Sequence, residues 1–494
     1  MPVTSDEGLR VATARGRWVL TATVLGSSMA FLDATVVGIA QPTIGREFHA
    51  DIAGLQWVSI GYTLTLSGLL LLAGGMGDRF GRRRIFTIGV LWFAVASLFC
   101  AVAPNIGLLI TARALQGVGG ALLTPGSLAI IEASFVPGDR ARAIGAWSGL
   151  GGIAGAIGPF LGGYLISTVS WRLIFLINLP VAAAVVWITS RHVPETRNPE
   201  ARGRIDIPGA VLTIAGLTGL SYGMVEGSDL GWTSAPVLGA LLGSAVLFVA
   251  FVIVELRTAE PLLPLSIFRS QQFSATNVVT LLVYALMGGM FFLLPIELLQ
   301  VAGYSPITAG ASLLPVTGLL LVLSQYSGAL ASRIGPRLQM SMGPLVMAVG
   351  FAMFARIDMS GNYLTEVLPA ALVWGFGLAI LVAPLTATAM SSAPSEHAGL
   401  ASAVNNTVAR AGPLFAVAIL PPLAGITGAA YLHPAQFETG FQHAAFIAAI
   451  VCAVAGVIAA ATIRNPSRLR ASEKPQISIT PTLPAVPAEA PVDS

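Results

Sequence analysis

Long apolar stretches alternate with short polar links along nearly the whole chain. A helix needs about 20 mostly apolar residues to cross the hydrocarbon of a bilayer, and fourteen long apolar stretches lie between Trp18 and Ile463. They are apolar all round, whereas the strands of a membrane barrel alternate polar and apolar residues over about ten positions. The pattern therefore predicts an all-α integral membrane protein with fourteen transmembrane helices.

The predicted spans fall into groups of six, two and six. The eleventh span, Met340–Phe354, is the shortest, and its loss would invert the orientation of every span after it. The tail is rich in proline, alanine and serine and cannot bury a core, so we expect it to be disordered. In order, the predicted segments are a cytoplasmic N-terminal segment at 1–17, a six-helix bundle at 18–190, a cytoplasmic linker at 191–206, an inserted helix pair at 207–256, a second cytoplasmic linker at 257–274, a second six-helix bundle at 275–463 and the cytoplasmic tail at 464–494.

The basic residues test this topology independently. With the amino terminus in the cytoplasm, 21 of the 26 lysine and arginine residues fall on the cytoplasmic side. Cytoplasmic loops of membrane proteins carry such an excess, so the distribution favours fourteen spans with both termini in the cytoplasm. The net charge of +3 then reflects topology, and no nucleic-acid partner is needed to explain it.

The sequence offers little that would support catalysis. The two cysteines, Cys100 and Cys452, both lie in apolar spans, which makes a disulfide or a metal site improbable. Gly219–Gly223 matches the nucleophile elbow by letter, but that motif needs a strand, a sharp turn and a helix, and here it lies inside an apolar span. No phosphate-binding loop or metal-ligand cluster is found. We expect no enzymatic activity, no cofactor and no metal.

Internal repetition relates the two six-helix groups. The segment Gly74–Arg83 after the second span resembles Gly328–Arg337 after the tenth, at an offset of 254 residues. Gly158-Pro159 and Gly412-Pro413 share that offset, and so do Gly145 and Gly399. Parallel repeats of this kind build one class of transporters, which hold substrate near the repeat interface.

Four motifs stand in order along the first five helices: Leu32–Val37 up to Pro42 in helix 1, Gly74–Arg84 between helices 2 and 3, Arg113–Gly120 in helix 4 and Gly151–Gly163 in helix 5. On these motifs, residues 15 to 465 resemble the major facilitator superfamily, and within it the fourteen-helix drug:proton antiporters. Gly38 and Gln41 depart from the asparagine and leucine usual in the family. The resemblance implies two bundles related by a pseudo-two-fold axis, an inserted helix pair, and protons as the coupling ion.

Two ionisable residues lie deep in predicted spans at nearly the same depth. Asp33 is about 22 Å and Arg113 about 27 Å from the cytoplasmic ends of their helices, at 1.5 Å per residue. Ionisable residues inside membranes are costly and usually serve function. We predict that Asp33 carries the proton and that Arg113 tunes its ionisation. The alternative is a permanent ion pair that only joins helices 1 and 4.

The turn after helix 2 is a candidate conformational latch, formed by Gly74, Asp78, Arg79, Gly81, Arg82 and Arg83. Asp78 would oppose a helix N-terminus of the other half, and the arginines would find acidic partners. The alternative is ordinary cytoplasmic basic charge in a tight glycine turn.

Helix 5 carries small residues on one stripe. Such a stripe lets helices approach closely, and the proline permits a bend. Beyond simple packing, a tight seam would prevent proton leakage, which an antiporter requires. The motif consists of Gly151, Gly155, Gly158, Pro159, Gly162 and Gly163.

Polar residues in the spans are candidates for a substrate cavity. Arg410 is predicted near the midplane, with two asparagines about one turn before it, whereas Glu297 is predicted near the outer end of helix 9, either solvated at the interface or functional. The candidate set is Gln41, Gln116, Asn405, Asn406, Arg410 and Glu297.

These features together predict a proton-coupled exporter of hydrophobic or amphipathic small molecules that works by alternating access as a monomer surrounded by membrane lipid. The alternatives are export of lipids or of an endogenous metabolite, and a non-exporting facilitator of the same fold. The predominance of arginine over the single lysine, with abundant alanine and glycine, is typical of GC-rich bacteria. The expected location is therefore a bacterial cytoplasmic membrane.

Overall fold

A computed structural model describes residues 8–197, 206–258, 263, 265–359, 361–392 and 398–465. Within these ranges, fourteen helices are long and apolar enough to cross a membrane, which confirms the predicted number of spans. The predicted tail from 466 onward, residues 1–7 of the N-terminal segment and the central parts of both linkers lie outside the described residues.

The fourteen spans are labelled α1 to α14 in chain order. Two of them consist of two helical segments, and two include a π-helical turn. Their bounds are α1 Ala14–Phe48, α2 Ile52–Phe80, α3 Arg82–Ala101, α4 Ile106–Ser134, α5 Pro137–Thr168, α6 Leu173–Leu176 with Asn178–His192, α7 Ile207–Leu230, α8 Ala235–Arg257, α9 Gln271–Ile296 with the turn Glu297–Val301, α10 Pro306–Ser312 with Leu314–Ile334, α11 Arg337–Phe354, α12 Leu368–Ser391 preceded by the turn Tyr363–Val367, α13 Ala398–Leu423 and α14 Pro434–Thr462.

The breaks in α6 and α10 are the main departures from the predicted continuous spans. Proline has no backbone N–H and its ring crowds the preceding turn, so it interrupts a helix. Pro180 lies just after the break at Ile177, and Pro315 lies just after the break at Leu313. The same chemistry therefore accounts for both interruptions.

The two six-helix groups pack in the same pattern. In the first group α1 packs on α5, α4 packs on α2 and α3, and α3 packs on α6. In the second group α9 packs on α13, α12 packs on α10 and α11, and α11 packs on α14. The internal sequence repeat is therefore also a repeat of helix packing.

The repeated turns after α2 and α10 share a detailed geometry. Each turns through a glycine with positive φ, 111° at Gly81 and 86° at Gly335, a conformation that only glycine adopts without strain. At the start of the next helix, a backbone N–H donates to a side chain that lies just after the sixth helix of the same group. Arg83 donates to Glu195 Oε1 at 3.1 Å, and Arg337 donates to Asn465 Oδ1 at 3.0 Å.

The two groups contact each other through α2 with α13, α5 with α10, and α1 with α9. Several polar contacts lie at the membrane side opposite the N-terminus of α1. Gln56 Nε2 donates to the carbonyl of Val417 at 2.6 Å, and Tyr431 Oη donates to the carbonyl of Ala50 at 2.5 Å. Burial raises the pKa of Tyr431, so its hydroxyl remains a donor at neutral pH. These contacts hold the two groups together on that side.

The inserted pair lies beside the seam between the groups. α7 packs on α2 and α13, and α8 packs chiefly on α7. Trp57 of α2 donates its indole N–H to Glu226 Oε1 of α7 at 2.9 Å. Side chains such as Val246 of α8 are two-thirds exposed, as expected of a helix that faces lipid.

Candidate functional site

A cavity of about 370 Å³ lies between the two groups. Its walls come from α1, α2, α4, α9 and α13. Val417, which accepts the hydrogen bond from Gln56 that joins the two groups, is one of the lining residues. Small-molecule sites in proteins commonly have volumes of about 300–1,000 Å³. The lining residues are Phe31, Ala34, Thr35, Val37, Gly38, Gln41, Ser59, Tyr62, Thr63, Leu66, Arg113, Tyr284, Met287, Gly288, Phe291, Phe292, Asn406, Ala409, Arg410, Pro413 and Val417.

Asp33 and Arg113 form a buried ion pair at one wall of this cavity. Arg113 Nη1 lies 2.5 Å from Asp33 Oδ2, and the two residues are 2% and 0% exposed, respectively. Gln116 Nε2 donates to the second carboxylate oxygen at 2.8 Å. Arg113 Nε donates to the carbonyl of Val58 at 3.2 Å, and the guanidinium lies 4.4 Å from the ring centroid of Tyr62. Arg113 reaches the cavity, whereas Asp33 lies behind it.

The ion pair continues into a polar network that joins four helices. Gln116 of α4 accepts from Arg113 Nη1 at 2.6 Å and donates to Ser97 Oγ of α3 at 2.9 Å. Asn178 of α6 donates to the same serine oxygen at 3.3 Å. Such a network fixes the conformation of the charged groups at its centre.

Sequence reasoning missed Ser97 and Asn178 as partners of the ion pair. The signal was present, because each is a polar residue inside an apolar span and buried polar groups need hydrogen-bond partners. Asn178 also stands directly after the break in α6, where its side chain turns toward Ser97.

The predicted cavity residues divide into two sets. Gln41, Asn406 and Arg410 line the cavity, whereas Gln116, Asn405 and Glu297 lie outside its lining. Gln116 belongs to the ion-pair network described above.

Asn405 and Glu297 are both buried in the second group. Asn405 Nδ2 donates to Asn277 Oδ1 at 3.2 Å and to Thr280 Oγ1 at 2.9 Å, which joins α13 to α9. Glu297 is 0% exposed, and neither carboxylate oxygen has a hydrogen-bond partner among the described residues. The alternative that Glu297 is solvated at the interface is therefore wrong.

The turn after α2 makes its described contacts within the first group. Arg82 Nη2 lies 2.7 Å from Asp78 Oδ1, one helical turn away. Arg83 lies 3.8 Å from Glu195 Oε2 and donates to the carbonyl of Val193 at 3.2 Å. Among the contacts of the described residues, none joins Asp78 to a helix of the other half in this conformation. Arg79 packs beside Phe80, and a Cβ added at Gly74 would lie 4.0 Å from Pro125 Cβ.

The glycine stripe of α5 faces α1, the helix that carries Asp33. Gly151 and Gly155 lie against Phe31, Gly158 against Thr35, and Gly162 against Val36. Thr35 Oγ1 donates to the carbonyl of Gly155 at 2.9 Å. The stripe therefore brings α5 close enough to α1 for a side chain to bond the backbone of its neighbour.

Gly163 and Pro159 face the other group instead. A Cβ at Gly163 would overlap the backbone of Pro306, and a Cβ at Gly310 would overlap the backbone of Pro159. α5 and α10 thus meet backbone to backbone near the side opposite the N-terminus. By contrast, a Cβ at Gly145 or Gly152 would meet no atom within 4 Å in the part of the chain that the structure describes.

Comparison with known proteins identifies the family. Residues 23–417 match the family model described as Major Facilitator Superfamily. The chain belongs to the major facilitator superfamily. This confirms the resemblance seen in the sequence motifs.

Its sequence relatives are named for drug resistance. The chain is 36% identical over 410 residues to the tetracenomycin C resistance and export protein of Streptomyces glaucescens, covering 82% of this chain and 76% of the relative. It is 35% identical to the multidrug resistance protein Stp of Mycobacterium tuberculosis, with 84% and 77% covered. It is 34% identical over 480 residues to the puromycin resistance protein pur8 of Streptomyces alboniger, with 94% and 95% covered.

Solved structures agree on the fold. An inward-facing bacterial homolog of the human lysosomal transporter Spinster matches with a TM-score of 0.62 at 17% identity, covering 92% of this chain and all of that one. A POT family transporter in complex with a thioalcohol-conjugated peptide matches with a TM-score of 0.67 at 12% identity, with 90% and 95% covered.

Membership in a transporter superfamily confirms the prediction that the protein is not an enzyme. The structure explains the misleading motif, because Ser221 is buried in the continuous helix α7. A nucleophile elbow requires a serine exposed on a strand-to-helix turn.

Proposed function

We propose that this protein is a proton-coupled antiporter that exports hydrophobic or amphipathic drug-like molecules from a bacterial cell by alternating access. The observation that carries the proposal is the buried Asp33–Arg113 pair at the wall of a cavity between two equivalent helix groups. The names of the relatives, which include resistance and export of antibiotics, support the substrate class.

In the proposed cycle Asp33 is the proton carrier. Protonation of its carboxylate removes the charge that Arg113 pairs with, and Gln116 and Val58 continue to hold the arginine through hydrogen bonds. A buried guanidinium without a counter-charge is unfavourable, so protonation favours a conformation in which water or substrate reaches Arg113. Release of the proton restores the pair and the present arrangement.

The driving force is sufficient with one proton. A membrane potential of 100 mV supplies about 2.3 kcal/mol per charge, and one pH unit adds about 1.4 kcal/mol. Together they sustain a substrate gradient of several hundredfold per proton, which is enough for drug efflux.

We also propose that the turn from Gly74 to Arg83 acts as a latch in the opposite conformation. In this conformation Asp78, Arg82 and Arg83 are engaged within their own group, and the cross-group contacts described above lie at the other side of the membrane. The domain division at 18–190, 207–256 and 275–463 and the cytoplasmic placement of both termini are part of the same proposal. The distribution of basic residues supports that placement.

The experiment uses the purified full chain in lipid vesicles that contain a pH-sensitive dye. Tetracenomycin C and puromycin are added in turn under an imposed pH gradient, and proton flux and substrate movement are recorded together. We expect substrate-dependent proton flux in the wild type and its loss in Asp33→Asn. Glu132→Gln is the matched control, because Glu132 is an exposed carboxylate at the end of α4 in the same group.

Unchanged coupled flux in Asp33→Asn refutes the proposed role of Asp33. Substrate movement without proton flux in the wild type refutes the antiport mechanism and indicates a facilitator of the same fold. Movement of neither antibiotic refutes their assignment as substrates.

A further inference from the structure

Arg410 brings an unbalanced positive charge into the cavity. It lies on the cavity wall contributed by α13, and none of the described hydrogen bonds or ion pairs involves its side chain. Its guanidinium lies 5.6 Å from the ring centroid of Phe31. A charged group in a membrane-embedded site is costly unless it is paired or hydrated, so this arginine favours a partner that carries negative charge.

The remaining lining does not supply that partner. The lining residues that the structure describes include no aspartate and no glutamate. The second cation of the cavity, Arg113, is already neutralised by Asp33 at 2.5 Å. The charge that the cavity offers to a substrate is therefore that of Arg410.

A second polar group of the cavity also lacks a partner. Gln41 is 1% exposed and lines the cavity, and its Nε2 donates to Ser59 Oγ at 2.7 Å. Its Oε1 has no hydrogen-bond partner among the described residues. Leaving a buried acceptor unsatisfied costs about 1–3 kcal/mol, so a bound molecule with a hydroxyl or N–H donor fits this position.

Aromatic rings form much of the remaining wall. They lie on both sides of the cavity, with Phe31 and Tyr62 on the first group and Tyr284, Phe291 and Phe292 on the second. Flat aromatic molecules stack on such rings in offset or edge-to-face arrangements. The lining is thus suited to an aromatic body that carries one acidic group and at least one donor.

We propose that the cavity selects flat aromatic compounds that carry a carboxylate or an ionised phenol, and that Arg410 determines this selectivity. The acidic group pairs with the Arg410 guanidinium, and a hydroxyl or N–H of the same compound donates to Gln41 Oε1. The inference rests on the proposed function, since it takes this cavity to be the substrate site.

The test is equilibrium binding to the purified full chain in detergent, measured by the fluorescence polarisation of two dyes. Fluorescein and rhodamine 123 share a flat xanthene body, but at slightly acidic pH the first is an anion that keeps a phenol hydroxyl and the second is a cation. We expect the wild type to bind fluorescein at least tenfold more tightly. Arg410→Gln should weaken fluorescein binding by about 10- to 100-fold, as expected for the loss of a charge-assisted hydrogen bond.

Two further variants complete the design. Arg410→Lys keeps the charge and should retain part of the preference, although lysine lacks the planar fork that binds a carboxylate with two hydrogen bonds. Arg356→Gln removes an exposed arginine outside the cavity and should leave both affinities unchanged. Gel filtration of each variant establishes that the fold is retained.

Equal affinities, a preference for rhodamine 123, no binding of either dye, or unchanged fluorescein binding in Arg410→Gln would each overturn the inference. Because binding is measured without a proton gradient, the two proposals fail separately. Selective binding of fluorescein without coupled transport overturns the antiport mechanism and leaves the selectivity of Arg410 standing.

Discussion

A measurement of thermal stability can test whether Asp33 and Arg113 form an ion pair that is shielded from water. Removing one partner of a buried pair leaves an uncompensated charge and costs about 3–5 kcal/mol, whereas replacing both partners is often close to neutral. Arg113→Gln leaves the carboxylate of Asp33 with Gln116, and Asp33→Asn leaves the guanidinium with Gln116 and Val58. We therefore expect each single variant to unfold at a lower temperature and the double variant to recover most of the loss.

The chain supplies its own probe for this measurement. Cys100 lies in the first group and Cys452 in the second, and both are free and buried. A thiol-reactive fluorogenic dye therefore reports unfolding in detergent. Replacing Cys452 with serine restricts the signal to the group that holds the ion pair.

The order of the melting temperatures decides the result. A double variant as unstable as the sum of the two single variants would show that the two charges do not interact, and single variants as stable as the wild type would show that the pair is not desolvated. Glu132→Gln, an exposed carboxylate, is the control, for which we expect a change below about 0.5 kcal/mol.

Three further predictions follow from the contacts between and within the groups. Gly163→Leu should abolish transport because its side chain collides with the α10 backbone, whereas Gly152→Leu has open space and should retain transport; vesicle assays compare the two. Glu297→Met should not lower the melting temperature, because the carboxyl it removes is buried without a described partner, and a loss of several degrees would contradict this. Arg83→Ala should change stability by less than about 1 kcal/mol, since its pairing with Glu195 is partly exposed, so any large loss of transport in that variant reflects the conformational cycle.

The sequence predicted the number of spans and their repeat, because hydrophobic length and glycine turns act locally. The apolar pattern could not reveal the breaks at Ile177 and Leu313, since both spans stay predominantly apolar across these positions. It placed Asp33 and Arg113 in one layer from helix geometry alone. Their actual contact depends on the rotation of α1 relative to α4, which side-chain packing sets.

The candidate cavity also depends on helix rotation, which the sequence pattern does not give. Arg410 and Asn406 lie one turn apart on α13 and both face the cavity, but Asn405 is turned toward α9. A shift of one residue rotates a side chain by about 100° around a helix, so membership in a span does not decide which face a residue occupies. Glu297 illustrates the complementary case, because depth estimates place it near the outer surface while packing buries it completely.

The two groups share a fold but divide the charged chemistry between them. The first group holds the Asp33–Arg113 pair, whereas α9 before Glu297 and the helix α12 carry no charged residue. Conversely, Arg410 stands on α13 where the internal offset of 254 places Ala156 on α5. In the proposed cycle a proton is exchanged on the first group, while the proposed substrate anchor, Arg410, lies on the second. Any rocking of one group against the other changes the separation of Arg410 from Asp33, and through it the electrostatic influence of a bound anion on the protonation of that carboxylate. Under the proposed function, coupling then requires no direct contact between substrate and Asp33, only a relative motion of the two groups.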